Sequence, residues 1–487
     1  MPRSTSVVLA ALAALALDRK LSPDARPRTA DHHRQPGSSG RFNLRRGFRA
    51  PCRIAGIGSL LLLAASLPAA ETKLTKSVWE AVLGPRLGWS VAISGVAVAA
   101  DWLIAGAPGY DGVGYHELDM GALAVFELGV DGWASNRDWL LLWDDSWMGS
   151  MRVASLGHSV SMWGDRALAG APYCDHATPS TLGENIGAFQ IWTRDDPDWS
   201  RHQSYGREAG DTLGYSVSIQ GMTVGLGVPH AEVAAGHYGA VSVQTLSGGY
   251  WNESALLAAP DAGEGFGLSV SVWSDRIAVG APNDDETATN GGAVYVFRNS
   301  GGTWSFEQKL TASDVATDDI FGAAVSMSGN YLAVGAPNKN SGRGRVYVFQ
   351  LSSGVWSQVA NLSAHDGGAS DAFGGAVALF DPRLVVGAQW DDENGAESGA
   401  IYGFRRLAGG YTEVGKRNAG DGLAGDEYGF SVSLYQSDLA VGAPYATVGD
   451  DYQAGAAYVY GWSDLEGHLF SDGFERGNES RWSASTL

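Results

Sequence analysis

Short runs of alternating apolar and polar residues recur along the chain between residues 87 and 460. One set begins with an aromatic residue or leucine, continues with glycine, and then alternates with period two. Side chains with this period line the two faces of a strand in turn, so each run predicts a β-strand. The set has seven members: LGWSVAIS (87–94), LGHSVSMW (156–163), LGYSVSIQ (213–220), FGLSVSVW (266–273), FGAAVSMS (321–328), FGGAVALF (373–380) and YGFSVSLY (428–435).

Two further elements follow each of these strands in a fixed order, and one more follows in six of the repeats. The second is an apolar run ending in Gly-Ala-Pro or a near variant: LIAGAP (103–108), ALAGAP (167–172), VGLGVP (224–229), IAVGAP (277–282), LAVGAP (332–337), LVVGAQ (384–389) and LAVGAP (439–444). The third starts with glycine: GALAVF (121–126), GAFQIW (187–192), GAVSVQ (239–244), GAVYVF (292–297), GRVYVF (344–349), GAIYGF (399–404) and GAAYVY (455–460). A fourth element with an aromatic residue follows in six repeats: Trp139, Trp199, Trp251, Trp304, Trp356 and Tyr411.

Seven repeats of four strands predict an all-β fold, a seven-bladed β-propeller over residues 72–463. A four-stranded sheet with two apolar faces needs a neighbour on each side, and radial stacking around an axis provides both. The ring must also close, because an open ring leaves bare sheet edges. The run SVWEAVL (77–83) resembles a fourth element without a repeat of its own, whereas the last repeat ends after GAAYVY. We therefore expect residues 77–83 to complete the last blade.

The order of these elements resembles the FG-GAP repeat, the unit of the integrin α-chain N-terminal propeller and of bacterial secreted proteins. The resemblance implies an adhesion-type binding protein. Several integrin repeats carry a calcium loop, D-x-[DN]-x-D-G-x-x-D, before the VGAP strand. Here short turns such as WSDR (273–276) and FDPR (380–383) occupy that position and offer too few oxygen ligands for calcium. The family's calcium site therefore does not transfer. The plainest matches to the repeat are Phe266-Gly267 with Gly280-Ala281-Pro282, Phe321-Gly322 with Gly335-Ala336-Pro337, and Phe373-Gly374 with Gly387-Ala388.

Residues 1–70 are predicted to form an export leader that is removed. They contain 11 Lys and Arg against 3 Asp and Glu, and the apolar run 54–70 follows a cluster of arginines, which is typical of a secretory signal. This signal lies well inside the chain, so either translation begins near Leu44 or the leader is unusually long. The mature protein is then secreted, periplasmic or displayed on the cell surface, without a transmembrane anchor. Residues 464–487 form a short C-terminal tail.

The rest of the chain is strongly acidic, with 22 Lys and Arg against 50 Asp and Glu. An acidic body repels phosphate backbones, which argues against nucleic acid as a partner. An extracellular protein or a glycan fits better, and the repulsion between copies favours a monomer. Only Cys174 remains after removal of the leader, so packing and strand pairing, not a disulfide, must hold the fold.

Acidic residues cluster in the loops after three of the Gly-Ala-Pro strands. Such clusters either bind divalent cations, with Ca²⁺ as the candidate, or serve as turn formers that solvate the loops. Their irregular spacing favours the second interpretation, with the first kept as the alternative. The candidate metal ligands are Asp284, Asp285, Glu286, Asp391, Asp392, Asp450 and Asp451.

Aromatic residues follow the same strands and are candidate contacts for a sugar ring or a protein partner. They are Tyr110, Tyr173, Trp390 and Tyr445. We identify no catalytic residue, because the chain lacks a nucleophile elbow, a zinc-binding H-E-x-x-H helix and a phosphate loop. The sequence thus favours a binding or scaffold propeller that recognises a protein or polysaccharide through one loop face. The alternative is a hydrolase or lyase acting on extracellular polysaccharide, which needs two carboxylates, or an acid and a histidine, at the propeller axis.

Overall fold

The computed structural model describes most of the chain from residue 72 to residue 466. The described residues are 72–74, 86–95, 101–109, 121–129, 132–141, 155–178, 181–183, 185–195, 198–205, 208, 210–234, 237–261, 264–448 and 453–466. They contain seven four-stranded sheets, and every neighbouring pair of strands within a sheet is antiparallel. The predicted seven-bladed β-propeller is confirmed.

Blades 1 to 3 include one extra hairpin. Blade 1 consists of β2 (Ser90–Gly95), β3 (Asp101–Ala107), β4 (Ala122–Gly129) and β5 (Gly132–Leu141). Blade 2 consists of β6 (Ser159–Trp163), β7 (Arg166–Ala171), β10 (Ala188–Asp195) and β11 (Asp198–Tyr205), and its loop holds the hairpin β8 (His176–Thr178) and β9 (Thr181–Gly183). Blade 3 consists of β12 (Val217–Gln220), β13 (Thr223–Ala234), β14 (His237–Ser247) and β15 (Tyr250–Leu257).

Blades 4 to 7 are more regular. Blade 4 consists of β16 (Ser269–Trp273), β17 (Arg276–Ala281), β18 (Ala293–Ser300) and β19 (Thr303–Leu310). Blade 5 consists of β20 (Ala324–Ser328), β21 (Tyr331–Ala336), β22 (Arg345–Ser352) and β23 (Val355–Leu362), with a single turn, α1 (Lys339–Gly342), between β21 and β22. Blade 6 consists of β24 (Ala376–Phe380), β25 (Arg383–Ala388), β26 (Ala400–Leu407) and β27 (Gly410–Arg417). Blade 7 consists of β28 (Ser431–Tyr435), β29 (Asp438–Ala443), β30 (Ala456–Gly461) and β1 (Thr72–Leu74).

Two glycines meet at every joint between neighbouring blades, which explains the repeated FG and GAP motifs. The glycine of each GAP strand lies against the carbonyl of the FG glycine of the following blade. A Cβ at Gly280 would lie 2.1 Å from the carbonyl oxygen of Gly322, far inside contact distance. Equivalent close approaches occur at the other six joints, so a side chain at any of them would force the blades apart. The other pairs are Gly106–Gly157, Gly170–Gly214, Gly227–Gly267, Gly335–Gly374, Gly387–Gly429 and Gly442–Gly88.

The ring closes between blade 7 and blade 1, as the sequence predicts. Strand β1 pairs with β30, with Lys73 opposite Tyr458, and so supplies the outer strand of the last blade. The closing strand is therefore Thr72–Leu74, whereas the run 77–83 chosen for this role lies outside the described residues. On the inner side, Leu87 forms a parallel bridge with Gly455, as equivalent residues do at other joints.

Serine hydroxyls link the innermost strands around the axis. In five blades the serine four residues after the FG glycine accepts a backbone N–H from the next blade, at 2.9 to 3.1 Å. In blades 1 and 6 alanine (Ala92 and Ala378) takes this place. These bonds satisfy strand N–H groups that face the axis, which explains why serine recurs at an otherwise apolar convergence point. The five acceptors are Ser161, Ser218, Ser271, Ser326 and Ser433.

A short C-terminal helix, α2 (Trp462–Glu466), packs on blade 6 and crosses the predicted propeller boundary at residue 463. Trp462 and Leu465 are buried. Leu465 lies over Gly403 and Gly415, where a Cβ on Gly415 would lie 2.2 Å from the Leu465 carbonyl oxygen. Five of the other repeats have valine and one has isoleucine at the position of Gly403, so the variant GAIYGF makes room for this helix.

Candidate binding site on the collar face

The two ends of the propeller axis differ in chemistry. We call the end where the inner strands begin and the GAP strands finish the collar face, and the opposite end the hairpin face. On the collar face, the residue after each FG glycine and the residue after each GAP segment come together, because strands one and two of a blade are antiparallel. These two sets of positions define the candidate site.

Aromatic rings at these positions form a continuous arc across blades 7, 1, 2 and 3. The Trp89 ring centroid lies 4.8 Å from that of Phe430 and 6.1 Å from that of His158, and His158 lies 4.8 Å from Tyr215. Edge-to-face and tilted contacts of this kind fix the rings against one another. The arc extends outward through three further contacts, Tyr445 on Trp89, Tyr173 on His158, and His230 on Tyr215. We call these seven residues the aromatic arc.

The aromatic candidates chosen from the sequence fall partly within this arc. Tyr173 and Tyr445 belong to it, and Trp390 lies on the same face in blade 6, where it is 40% exposed. Tyr110 lies outside the described residues. The members that follow the FG glycine were missed: Trp89, His158, Tyr215 and Phe430. The sequence carries the signal, because this position is aromatic or histidine in LGW, LGH, LGY and YGF but small or aliphatic in FGL, FGA and FGG.

A half-buried carboxyl group adjoins the arc beside Trp390. Burial raises the pKa of Glu427 to about 7; the neighbouring charge of Glu397 raises it further, while a hydrogen bond from Trp390 and the charge of Arg86 act to lower it. The Arg86 guanidinium also lies 5.7 Å from the Trp89 ring and 5.4 Å from the Tyr445 ring, a cation–π arrangement. This part of the collar face therefore offers both aromatic rings and carboxylates to a cationic group.

His158 gives the arc a pH dependence. Burial lowers the pKa of His158 from 6.5 to about 4, although a hydrogen bond with the Tyr215 carbonyl acts to raise it. The folded protein then binds fewer protons than the unfolded chain between these values, so stability falls as the pH drops from 6.5 towards 4. Wild type should lose up to about 3 kcal/mol of unfolding free energy between pH 6.5 and pH 4 because of this histidine, and we expect His158→Leu to abolish that loss. Urea unfolding at several pH values checks this, with the exposed His237→Leu as control; equal pH profiles for wild type and His158→Leu would contradict it.

Lysine side chains occupy two of the three acid clusters proposed to bind metal. In blade 4 the Lys309 ammonium lies 2.9 Å from Asp284, 3.0 Å from Asp261 and 2.5 Å from Glu286. The Tyr295 hydroxyl contacts a carboxylate oxygen of both aspartates, so its single proton can be donated to either of them. Although burial acts to raise the pKa of Asp261, the hydrogen bonds from Tyr295 and Lys309 hold it below its ordinary value. Asp285 instead accepts the backbone N–H of Asn290 within its loop.

Blade 6 repeats this arrangement. Lys416 lies 2.8 Å from Asp391, 2.8 Å from Asp366 and 2.9 Å from Glu393. The Tyr402 hydroxyl lies within hydrogen-bond distance of both aspartates and can donate its single proton to either. Asp392 accepts the N–H of Glu397. The third cluster, Asp450 and Asp451, lies outside the described residues.

In blade 5 the positive charge of the corresponding cluster comes from a different position. Lys339 takes the position that Asp284 has in blade 4, and Asn361 takes that of Lys309. The Lys339 ammonium lies 2.7 Å from Asp319, while the Tyr347 hydroxyl donates to Asp314.

Among the described residues, no group of three or more His, Cys, Asp or Glu side chains is arranged to hold a metal ion.

A cavity of about 200 Å³ lies on the axis, where the inner strands converge. The hydrolase alternative needs a pair of carboxylates, or an acid and a histidine, at this place. The described residues that line the cavity include no carboxylate and no histidine.

Comparison with known proteins gives the same repeat. The FG-GAP repeat model matches residues 251–297, 304–349, 356–404 and 411–460, each running from the fourth strand of one blade to the third strand of the next. Integrin alpha-3 of Cricetulus griseus is 31% identical over 186 residues, covering 33% of this chain and 17% of that protein. Integrin alpha-6 of Gallus gallus is 33% identical over 183 residues, covering 33% of this chain and 16% of that protein. Integrin alpha-7 of Rattus norvegicus is 36% identical over 104 residues, covering 18% of this chain and 9% of that protein. The matches therefore span about a sixth of these relatives or less.

In the part of the chain that the structure describes, no helix has the length and apolar composition needed to cross a bilayer.

Proposed function

We propose that this chain, whose propeller is built from FG-GAP repeats of the integrin-α type, is an extracellular binding protein that holds a protein partner on its collar face. The observation that carries the proposal is the aromatic arc. Aromatic side chains supply much of the binding energy at protein interfaces. The arc rings already contact one another, so little side-chain freedom is lost when a partner covers them.

The charges around the arc indicate what the partner presents. Trp390 is exposed beside Glu427 and Glu397, and the body of the propeller is acidic. A lysine or arginine of the partner that lies on the Trp390 ring gains both a cation–π contact and a carboxylate. Electrostatic attraction to the acidic face also speeds association, and this effect weakens at high salt.

Substitution on the collar face tests this function. A panel of purified extracellular proteins and immobilised glycans is screened with the wild-type protein, and its partner is then titrated with Trp390→Ala and Trp89→Ala. We expect each variant to weaken binding by about 30-fold, as for a central aromatic contact worth about 2 kcal/mol. Surface plasmon resonance measures the dissociation constants.

Tyr250→Ala is the matched control, because Tyr250 is 70% exposed on the outer strand of blade 3. Its binding is expected to equal that of the wild type. A partner that binds Trp390→Ala and Trp89→Ala as tightly as the wild type would contradict the choice of the collar face. A screen in which only glycans bind would contradict the choice of a protein partner. Because lysines occupy the acid clusters of blades 4 and 6, we expect the same affinity in EDTA and in calcium.

A further inference from the structure

The axial cavity has an aromatic lining that the collar-face function does not use. The last residues of four inner strands line it: Trp163, Trp273, Phe380 and Tyr435. Trp163 and Trp273 meet edge to face with their ring centroids 6.3 Å apart, and Phe380 and Tyr435 meet at 5.4 Å. All four rings lie at the hairpin-face end of these strands and are only half-buried. Two aromatic pairs thus border one cavity from blades 2 and 4 and from blades 6 and 7.

Hydroxyl groups line the same cavity. Ser161, Ser326 and Ser433 belong to its wall, and each hydroxyl oxygen accepts a backbone N–H from the next blade. A serine hydroxyl also has one proton to donate. With its oxygen already engaged by the strand, each of these serines offers its O–H to an acceptor atom of a ligand. The wall therefore combines aromatic rings with hydrogen-bond donors, as in ligand pockets that fix the orientation of a mostly apolar contact.

The charge of the surroundings narrows the ligand class. None of the described residues that line the cavity carries a charged side chain. The acidic excess of the chain after residue 70 repels anions, and a cation entering the cavity would lose water without meeting a carboxylate in the wall. The cavity therefore favours a ligand without a net charge. A sugar ring has apolar C–H faces that pack on aromatic rings, and its oxygens accept hydrogen bonds from hydroxyl groups.

We propose that the axial cavity binds a neutral sugar residue, at the mouth opposite the collar face. The aromatic pairs contact the faces of the sugar ring, and Ser161, Ser326 and Ser433 donate to its oxygens. This site is independent of the protein partner, because its aromatic residues lie at the opposite ends of the inner strands from the arc.

Titration of the full chain with free sugars tests this site. Glucose, galactose, mannose and N-acetylglucosamine are the probes, followed by saturation-transfer NMR and by tryptophan fluorescence. We expect saturable binding of at least one of them, weakened about tenfold by Trp273→Ala, which corresponds to about 1.4 kcal/mol. Ala378→Leu, which fills the cavity from its wall, is expected to abolish binding. Trp390→Ala removes a tryptophan from the collar face and should leave sugar binding unchanged.

The wild-type protein alone suffices to overturn the proposal if the variants fold poorly. Two further probes are glucuronate, which adds a negative charge, and cyclohexanol, which keeps the ring but loses most of the oxygens. Failure of all four neutral sugars to bind would overturn the site, as would glucuronate or cyclohexanol binding as tightly as the best sugar. Sugar binding that persists unchanged in Ala378→Leu would place the sugar elsewhere on the protein.

Discussion

Gly442→Ala is expected to destabilise the propeller strongly, because it adds a side chain at the joint that closes the ring. The new Cβ would lie 1.9 Å from the carbonyl oxygen of Gly88 and 2.3 Å from the hydroxyl of Ser431. The nearest atom is backbone, so relief requires blade 7 to move away from blade 1. Overpacking of a fully packed site costs about 3 kcal/mol or more when backbone must shift. The midpoint of urea unfolding measures the loss.

Two other glycines make this experiment specific for closure. Gly409→Ala is the neutral control, since nothing lies within 4 Å of its Cβ position. Gly280→Ala places the same clash at the joint between blades 4 and 5, where the Cβ would lie 2.1 Å from the Gly322 carbonyl oxygen. If blades 7 and 1 pack as closely as blades 4 and 5, Gly442→Ala and Gly280→Ala cost similar amounts. A Gly442→Ala variant as stable as Gly409→Ala would mean that the ring is open.

The blade number and the role of the glycines could be predicted from the sequence, because both depend on short repeated segments. Each marker is a strand with its own period, so counting markers counts blades. Gly280 and Gly322 recur at the same places in the other repeats, which indicated close backbone approach without showing the partner. Only the structure shows that one glycine lies against the other in the following blade.

The ends of the propeller were harder to predict, because no repetition marks them. Strand β1 has three residues and no alternation of its own, whereas the run at 77–83 looks like a strand of ordinary length. The C-terminal helix depends on Leu465 fitting over Gly403 and Gly415, which lie 62 and 50 residues earlier in the chain. Sequence marks Gly403 as a departure from the repeat but does not say what fills the space.

The candidate site shows a similar limit. The aromatic arc could have been found by comparing the residue after each FG glycine, because the repeats supply the alignment. The acid clusters could not be interpreted locally. Asp284 and Lys309 lie 25 residues apart on a loop and on β19, and only the register that places Lys309 opposite Tyr295 brings them together. The loop sequence alone therefore leaves a cation site and a lysine cluster indistinguishable.

Lys309→Met is expected to cost about 3 to 5 kcal/mol of unfolding free energy, because it leaves a buried carboxylate without its cation. The Asp284 side chain is only 4% exposed, and the Lys309 ammonium is its closest positive charge at 2.9 Å. Burial acts to lower the pKa of Lys309, but the hydrogen bonds to Glu286, Asp284 and Asp261 raise it above its ordinary value, so the lysine is charged at neutral pH. Methionine keeps the length and apolar stem of the side chain and removes the charge. Urea unfolding of the two proteins at neutral pH gives the difference.

Blade 5 provides the compensating variant. There lysine stands at the position of Asp284 and asparagine at the position of Lys309, so Asp284→Lys combined with Lys309→Asn transfers that charge arrangement to blade 4. Asp261 remains near the new lysine, as Asp314 lies 3.8 Å from Lys339 in blade 5 in addition to the closer Asp319. We expect the double variant to recover more than half of the stability that Lys309→Met loses, because the cluster again contains a cation and one fewer carboxylate. Full stability of Lys309→Met would contradict the pairing of Asp284 with Lys309. Recovery of its stability by calcium, without any second substitution, would show that the acids of blade 4 bind a metal ion.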